Sequence, residues 1–407
     1  MRVVTERIRT LKSVTVGIWV NTGSRDEQPA QAGYSHFIEH MFFKGTRSRS
    51  ATEISREIDG LGGEMNAFTT RETTTFYVKV LDQQLERAVE LLADLFHHSR
   101  FDPKEIEKEK KVVLEEIRMV QDDPEDLVQE LHTGQVLGRH PLGRSILGRV
   151  ETIRGLKRQD LIDYIDEHYD PTQVVIAIAG NFEQAQVERL VARYFGKTGS
   201  ATRTANGARR PPEVLGGLLV KQKPLEQVHL CLGLKGIAAG HKDRYAVYAL
   251  NSVLGGSVSS RLFQEVREKR GLVYSIYSFL SGYSDVGTIT VYAGTCSKEV
   301  PRVVDLACRE IKKIGAQGVE RNELERAKNQ MKGSLMLSLE SSHSRMSKLA
   351  KDELIYGRRT SLEEMLAHID HVSLDHVANV GRQLFALEPL AITGLGPLAP
   401  RALHAYR

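Results

Sequence analysis

Residues 33–46 read GYSHFIEHMFFKGT, and within them His36-Phe37-Ile38-Glu39-His40 gives the pattern H-x-x-E-H. On a helix, residues four apart lie one turn apart on the same face, so His36 and His40 bring two imidazoles to one point. That spacing suits a zinc ion. Glu39, on the adjoining edge, is placed to hold a water there and take its proton. The order of base and ligands reverses that of the H-E-x-x-H zinc motif. By themselves these five residues also fit a polar helix face with two unrelated histidines.

A zinc site left open on one side takes three protein ligands. The third is expected in DPKEIEKEKKVVLEEIRMV (102–120). Asp102 suits an N-cap and Pro103 the first helical position. At about 100° per residue, Ile106, Val113, Ile117 and Val120 form one apolar stripe. Glu109 and Glu116 fall two turns apart on the edge of that stripe, and Glu115 points the other way. A carboxylate beside a buried face is costly unless a cation meets it. Zinc would serve; otherwise such glutamates are simply solvated.

Together with GGEMNAFTTRETTTFYV (62–78) and EKEKKVVLEEI (107–117), these segments resemble the pitrilysin/insulinase family of zinc metallopeptidases. The likeness is to its processing-peptidase branch and the bacterial homologues, and it covers nearly the whole chain. The resemblance implies His36, His40 and Glu116 as ligands of one Zn²⁺ per chain, Glu39 as base and Glu109 as its supporting glutamate. The family usually opens with an Asn-Gly turn and an extra strand absent here, so a truncated native N-terminus is expected.

The 407 residues, 41% of them apolar, suffice for two or more packed domains. The net charge of +4 is small and spread out, which argues for neither nucleic-acid nor membrane affinity. The three cysteines, Cys231, Cys296 and Cys308, show neither a disulfide framework nor ligand spacing. Reduced thiols, a cytoplasmic location and no membrane span are therefore expected.

TGSATRTANGARRPPEVLGG (198–217) has no apolar period and reads as a linker. The halves on either side look alike. FDPKEIEKEK (101–110) parallels GVERNELERAK (318–328), and VVIAIAGN (174–181) parallels PLAITGLG (389–396), at an offset of about 214–218 residues. The expected organisation is a zinc-binding domain over 1–200, a linker over 201–217 and a homologous domain over 218–407. At the same offset, Glu109 and Glu116 fall near Ala327 and Ser334, and H-x-x-E-H falls near Leu250–Leu254, so only the first copy carries metal chemistry. Strands mixed with paired long helices indicate an α+β fold of antiparallel sheets backed by helices. The resemblance implies the same, each chain forming half of a clamshell chamber.

In the second half, SSRLFQEVREKRGLVYSIYSF (259–279) reads as a helix stopped near Gly271 and running into a strand. Arg267 and Tyr274 match the family's Arg-x6-Tyr pair, which implies donors to the substrate backbone and the reacting carbonyl. Without the family they read as a helix charge and a strand residue. NAFTTRETTTFYV (66–78) alternates like an open strand, and the resemblance implies peptide binding around Asn66 and Ala67 by strand addition. Phe43 is implied near the metal, in the pocket just after the scissile bond, if the helix continues that far. Asp126 and Glu130, on a helix starting at Asp123-Pro124, are implied to face a basic residue of the substrate. Core packing and a solvated surface are the plainer readings of these last two sites. The expected function is zinc-dependent cleavage of short or unfolded, basic peptides in an enclosed chamber. The alternative is a non-catalytic structural or assembly subunit. Because two domains make half of the family's four-domain enclosure, a homodimer is expected, with Arg267 and Tyr274 acting in trans.

Overall fold

The computed structural model describes residues 1–196 and 209–406. The first copy of the repeat contains β1 (Arg2–Arg7), β2 (Ser13–Val20), α1 (Tyr34–Met41), α2 (Ala51–Gly60), β3 (Glu64–Thr69), β4 (Thr74–Leu81), α3 (Leu85–His98), α4 (Pro103–Asp122), α5 (Pro124–Leu137), α6 (Val150–Gly155), α7 (Arg158–His168), β5 (Val174–Gly180) and α8 (Gln184–Phe195). The second contains β6 (Gly217–Gln222), β7 (Val228–Lys235), α9 (Arg244–Leu254), β8 (Val273–Gly282), β9 (Gly287–Thr295), α10 (Val300–Gln317), α11 (Arg321–Ser338), α12 (Ser342–Tyr356), α13 (Leu362–Asp370), α14 (Leu374–Leu384) and β10 (Ala391–Gly396). None of these helices is long and apolar enough to cross a membrane.

The two copies build the same sheet, in the orders β1-β5-β2-β4-β3 and β6-β10-β7-β9-β8. The α+β class holds, but the sheets are mixed rather than wholly antiparallel. The opening strand of each copy lies parallel to its last strand, β1 beside β5 and β6 beside β10. The chain between the members of each pair is long enough for the crossover that parallel pairing needs. The stretch 66–78 is a hairpin rather than one strand. Thr70 Oγ1 accepts hydrogen bonds from the Glu72 and Thr73 backbone N–H groups at 3.2 and 2.9 Å and folds the turn.

The compact units do not follow chain order. One comprises Met1–Met119, residues 144–196 and Leu337–Arg359; the other comprises Val120–Gly143, Arg209–Met336 and Thr360–Arg407. Each copy of the repeat thus lends a helix to the other's sheet, α12 to the first and α5 to the second, which a division at the linker does not foresee. Residues 201–208 of the expected linker lie outside the described residues.

These loaned helices explain why the central strands are buried on both faces. β5, VVIAIAG, is buried along its whole length. Its outward residues Val175, Ala177 and Ala179 pack with Trp19 against Met346, Leu349 and Ala350 of α12. Close approach depends on a glycine in each sheet. A Cβ on Gly17 would lie 2.5 Å from Met346 Sδ, and one on its repeat counterpart Gly233 would lie 2.3 Å from His132 Nε2 of α5. The His132 ring is held by Nδ1 donating to Thr393 Oγ1 at 2.8 Å, while that hydroxyl donates to Gln135. Burial pushes the His132 pKa down to about 3, so the ring is neutral.

α1 begins at Gly33, whose φ of +96° and tight approach to Leu147 O demand glycine. With no side-chain cap at Gly33, Glu27 caps from a distance. Its Oε2 and Oε1 accept from Gly33 N and Ser35 N, both at 2.8 Å. Glu27 is only 2% exposed. Burial pushes its carboxyl up to about 8, against the opposing pull of the Ser35 and Gly33 hydrogen bonds.

Two outcomes follow from these contacts. Gly233→Ala is expected to cost about 1–3 kcal/mol in urea unfolding, because the buried ring cannot yield. Gly17→Ala should cost less, since a thioether tip can move. Equal costs, or no relief of the Gly233→Ala penalty by His132→Ala, would contradict the packing account. For Glu27, the folded protein holds a proton that the unfolded chain releases above about 4.5. Its contribution is therefore full below that pH and is lost as pH rises through about 8. Between pH 5 and 8 the wild type should lose stability, on the order of a few kcal/mol, relative to Glu27→Gln. Parallel stability–pH curves for the two proteins would show that Glu27 is ionised throughout.

Candidate metal centre

α1 is eight residues long, too short to persist alone. Phe37, Ile38 and Met41 are fully buried in the core and fix its inner face. The other face carries His36 and His40, one turn apart, with ring centroids 4.6 Å apart. α4 lies across them. Lys104 N bonds Asp102 Oδ1 at 2.8 Å, the cap expected from sequence, and Ile106, Glu109, Val113 and Ile117 are its buried positions. Glu115 is exposed, as its phase requires.

Three donor atoms converge where the helices meet. His40 Nε2 is 3.3 Å from His36 Nε2, and Glu116 Oε2 is 3.6 Å from each of these nitrogens. Among the described residues this is the one group of three or more His, Cys, Asp or Glu with metal-binding spacing. Glu116 Oε2 is buried without a hydrogen-bond partner among the described residues. Tetrahedral zinc at about 2.0–2.1 Å from N and O donors needs donor separations of about 3.3 Å. A triangle of two nitrogen lone pairs and a carboxylate oxygen with these edges fits that ion.

The supporting contacts suit the same use. Glu109, 4% exposed, accepts from His40 Nδ1 at its Oε2 (3.0 Å) and from Lys44 Nζ at its Oε1 (2.5 Å). A carboxylate on Nδ1 leaves Nε2 as the free lone pair. Burial opposes ionisation of Glu109, but His40 and Lys44 outweigh it and hold the carboxyl below its ordinary range. Burial, aided by the charge of His40, pushes His36 down to about 4, which keeps its ring neutral at pH 7. Burial lowers His40 too, but Glu109, Glu116 and Glu39 reverse the sign and raise it. Glu39 is half-buried and its pKa is raised, chiefly by burial. Thr69 hydrogen-bonds it, while Glu39 Oε2 has no partner among the described residues and can accept a proton.

The remaining expected residues lie as follows. Asn66 is exposed and Ala67 buried on β3, an edge strand beside β4. Helix α1 ends at Met41, so Phe43 stands in the turn beyond it, half-buried against the core. Asp126 and Glu130 lie one turn apart on α5, after the Asp123 cap; Asp126 is exposed. Burial and the neighbouring Asp123 and Glu125 raise the carboxyl of Asp126. Arg267 sits in a π-helical turn, Phe263–Glu268, with its guanidinium carbon 4.8 Å from the Phe263 ring and 5.7 Å from that of Tyr274. A bulge between Val273 and Ser275 turns Tyr274 outward, leaving it 78% exposed. Lys44, Thr69 and Glu27 were not foreseen. Lys44 stands four residues past His40, a spacing that could have suggested it; Glu27 and Thr69 carry no periodic signal.

Comparison with known proteins identifies the family. The model for insulinase (peptidase family M16) matches residues 2–150, and that for the peptidase M16 inactive domain matches 155–331. A Bacillus subtilis protein named uncharacterized zinc protease YmxG is 44% identical over 98% of this chain and 96% of its own length. A Streptomyces coelicolor protein, also named an uncharacterized zinc protease, is 40% identical over 98% of this chain and 88% of its own. Among solved structures, a Pseudomonas fluorescens peptidase M16 inactive domain superposes with a TM-score of 0.89 at 21% identity, over 98% of this chain and 96% of the other. A Helicobacter pylori protease superposes at 0.88 and 23% identity, over 97% and 96%, and both likenesses speak for the fold alone. The chain belongs to the insulinase, or M16, family of peptidases.

Proposed function

We propose that this protein is a zinc-dependent endopeptidase acting on short or unfolded peptides. The observation that carries the reading is the convergence of His36 Nε2, His40 Nε2 and Glu116 Oε2, with the base Glu39 beside them. Zinc bound there, one ion per chain, would supply a Lewis acid for the scissile carbonyl and draw the pKa of the attacking water toward about 7. Glu39 takes that water's proton on Oε2 and hands it to the leaving amine. Glu109 fixes the tautomer of His40. Arg267 and Tyr274 donate to the carbonyl oxygen as charge develops on it. The open edge of β3 at Asn66 and Ala67 pairs with an extended peptide backbone. Phe43 lines the pocket after the cut, and Asp126 and Glu130 attract a basic residue before it.

Residues 1–200 form the zinc-binding domain in this reading, and 218–407 the homologous domain that carries Arg267 and Tyr274. The free cysteines support a reducing, cytoplasmic setting. The substrate chamber is completed by a second copy of the chain, with Arg267 and Tyr274 of one subunit serving the metal site of the other. Such enclosure excludes folded proteins. The rival reading, a structural subunit without activity, is disfavoured by the complete donor set and base in the first half.

An unfolded peptide library, with cuts mapped by mass spectrometry, is the assay. Cuts should follow shortly after Arg or Lys and stop with a chelator. Glu39→Gln should retain zinc and lose about 10²–10⁴-fold in turnover. A zinc-free, inert wild type would favour the rival, and a fully active Glu39→Gln would displace Glu39 as base. For sharing between subunits, Glu39→Gln chains are mixed and exchanged with Arg267→Ala/Tyr274→Phe chains. Activity should return, since one hybrid site then has every group. Proven heterodimers without recovery would mean that each subunit builds its site alone.

A further inference from the structure

We propose that Lys44 is a positioning residue of the metal site: it fixes the carboxylate of Glu109 so that His40 turns Nε2 toward Glu116 and His36. The proposal rests on reading that site as a zinc centre. Glu109 is divided between two partners, Oε2 facing His40 Nδ1 at 3.0 Å and Oε1 facing Lys44 Nζ at 2.5 Å. Its side chain is 5% exposed while that of Lys44 is 30% exposed, so the lysine reaches inward from the rim to a carboxylate that water scarcely touches. An ionised carboxylate only accepts, so the His40 nitrogen facing it carries the proton. Without the ammonium on Oε1, the carboxylate could rotate about its terminal torsion, which is soft. The imidazole would lose its fixed bearing with it.

The backbone around Lys44 is built to hold it still. Lys44 N bonds Met41 O at 3.1 Å as α1 ends, and the next residue, Gly45, has a φ of +110° that redirects the chain. Gly45 O accepts from Arg100 N at 3.0 Å, and Arg47 N donates to His98 O at 3.0 Å, which pins the turn to the end of α3. Five residues past Lys44, Arg49 spans Glu57, Glu90 and Asp94 at 2.8, 2.9 and 2.7 Å. Asp94 also takes the hydroxyls of Thr46 and Ser48 at 2.7 and 2.8 Å. This half-buried ionic knot ties α2, α3 and the turn into one body, so Lys44 projects from a rigid base.

Zinc dissociation constants, measured by competition with a chromophoric chelator, test this on the full-length wild type, Lys44→Met, Lys44→Arg, Glu109→Gln and Lys44→Met/Glu109→Gln. Lys44→Met should bind zinc about 10–100-fold more weakly. Lys44→Arg should recover most of that loss, and Lys44→Met should lose nothing further in the Glu109→Gln background. The visible spectrum of the cobalt-substituted protein should change in Lys44→Met and return in Lys44→Arg. If thermal unfolding shows Lys44→Met to be poorly folded, Lys44→Gln takes its place with the same expectation. A charge-free variant that binds zinc like the wild type, or that loses as much without Glu109 as with it, overturns the proposal. A wild type that binds no zinc overturns the reading of the metal site itself.

Discussion

A carboxylate buried between an imidazole and an ammonium is the contact on which the rest of the candidate site depends. Glu109 belongs to a 20-residue helix with its own apolar stripe; His40 and Lys44 belong to a helix of eight residues and the turn after it. Desolvating that carboxylate would be prohibitive without both partners. With them, it sets where α4 lies on α1 and which nitrogen of His40 stays free. Glu116, two turns on, is thereby delivered to the two histidines. At its other end, α1 is capped by a carboxyl group from outside the helix, that of Glu27, at a glycine with left-handed backbone. The short helix that carries His36 and His40 is held from both ends by acidic side chains, Glu109 and Glu27.

The duplicated fold frames this arrangement. Both copies place the same five strands in the same order, and both admit a helix from the other copy through a glycine in the strand after the first. In the second copy, the segment that corresponds to His36–His40 lies in α9, where Leu250, Val253 and Leu254 are core residues. The same helical position can thus be filled with apolar side chains and remain stable. His36 and His40 in the first copy are therefore not required by the fold.

Much of the chain was legible because its signals are local and periodic. The apolar stripe of 102–120 gave α4 and singled out Glu109 and Glu116. Proline and aspartate marked the starts of α4 and α5, and the repeat offset paired the strands and helices of the two copies. The hairpin at 64–81 was hidden because its turn is made by Thr70, whose hydroxyl replaces the glycine or proline that usually marks a turn. The parallel pairs β1–β5 and β6–β10, and the loan of α5 and α12, were hidden because each joins segments far apart in the chain. Neither partner's own pattern names the other.

By itself the sequence determined that His36 and His40 share a helix face, that Glu109 and Glu116 share another, and that only one of two copies carries them. Helical periodicity alone imposes these relations. Tertiary structure decided that the two faces meet, that Lys44 Nζ meets Oε1 of Glu109, that Thr69 attends Glu39, and that Glu27 caps α1. Those choices depend on which buried charges and unpaired backbone groups come within hydrogen-bond reach, and that is settled only when the strands and helices between them have packed.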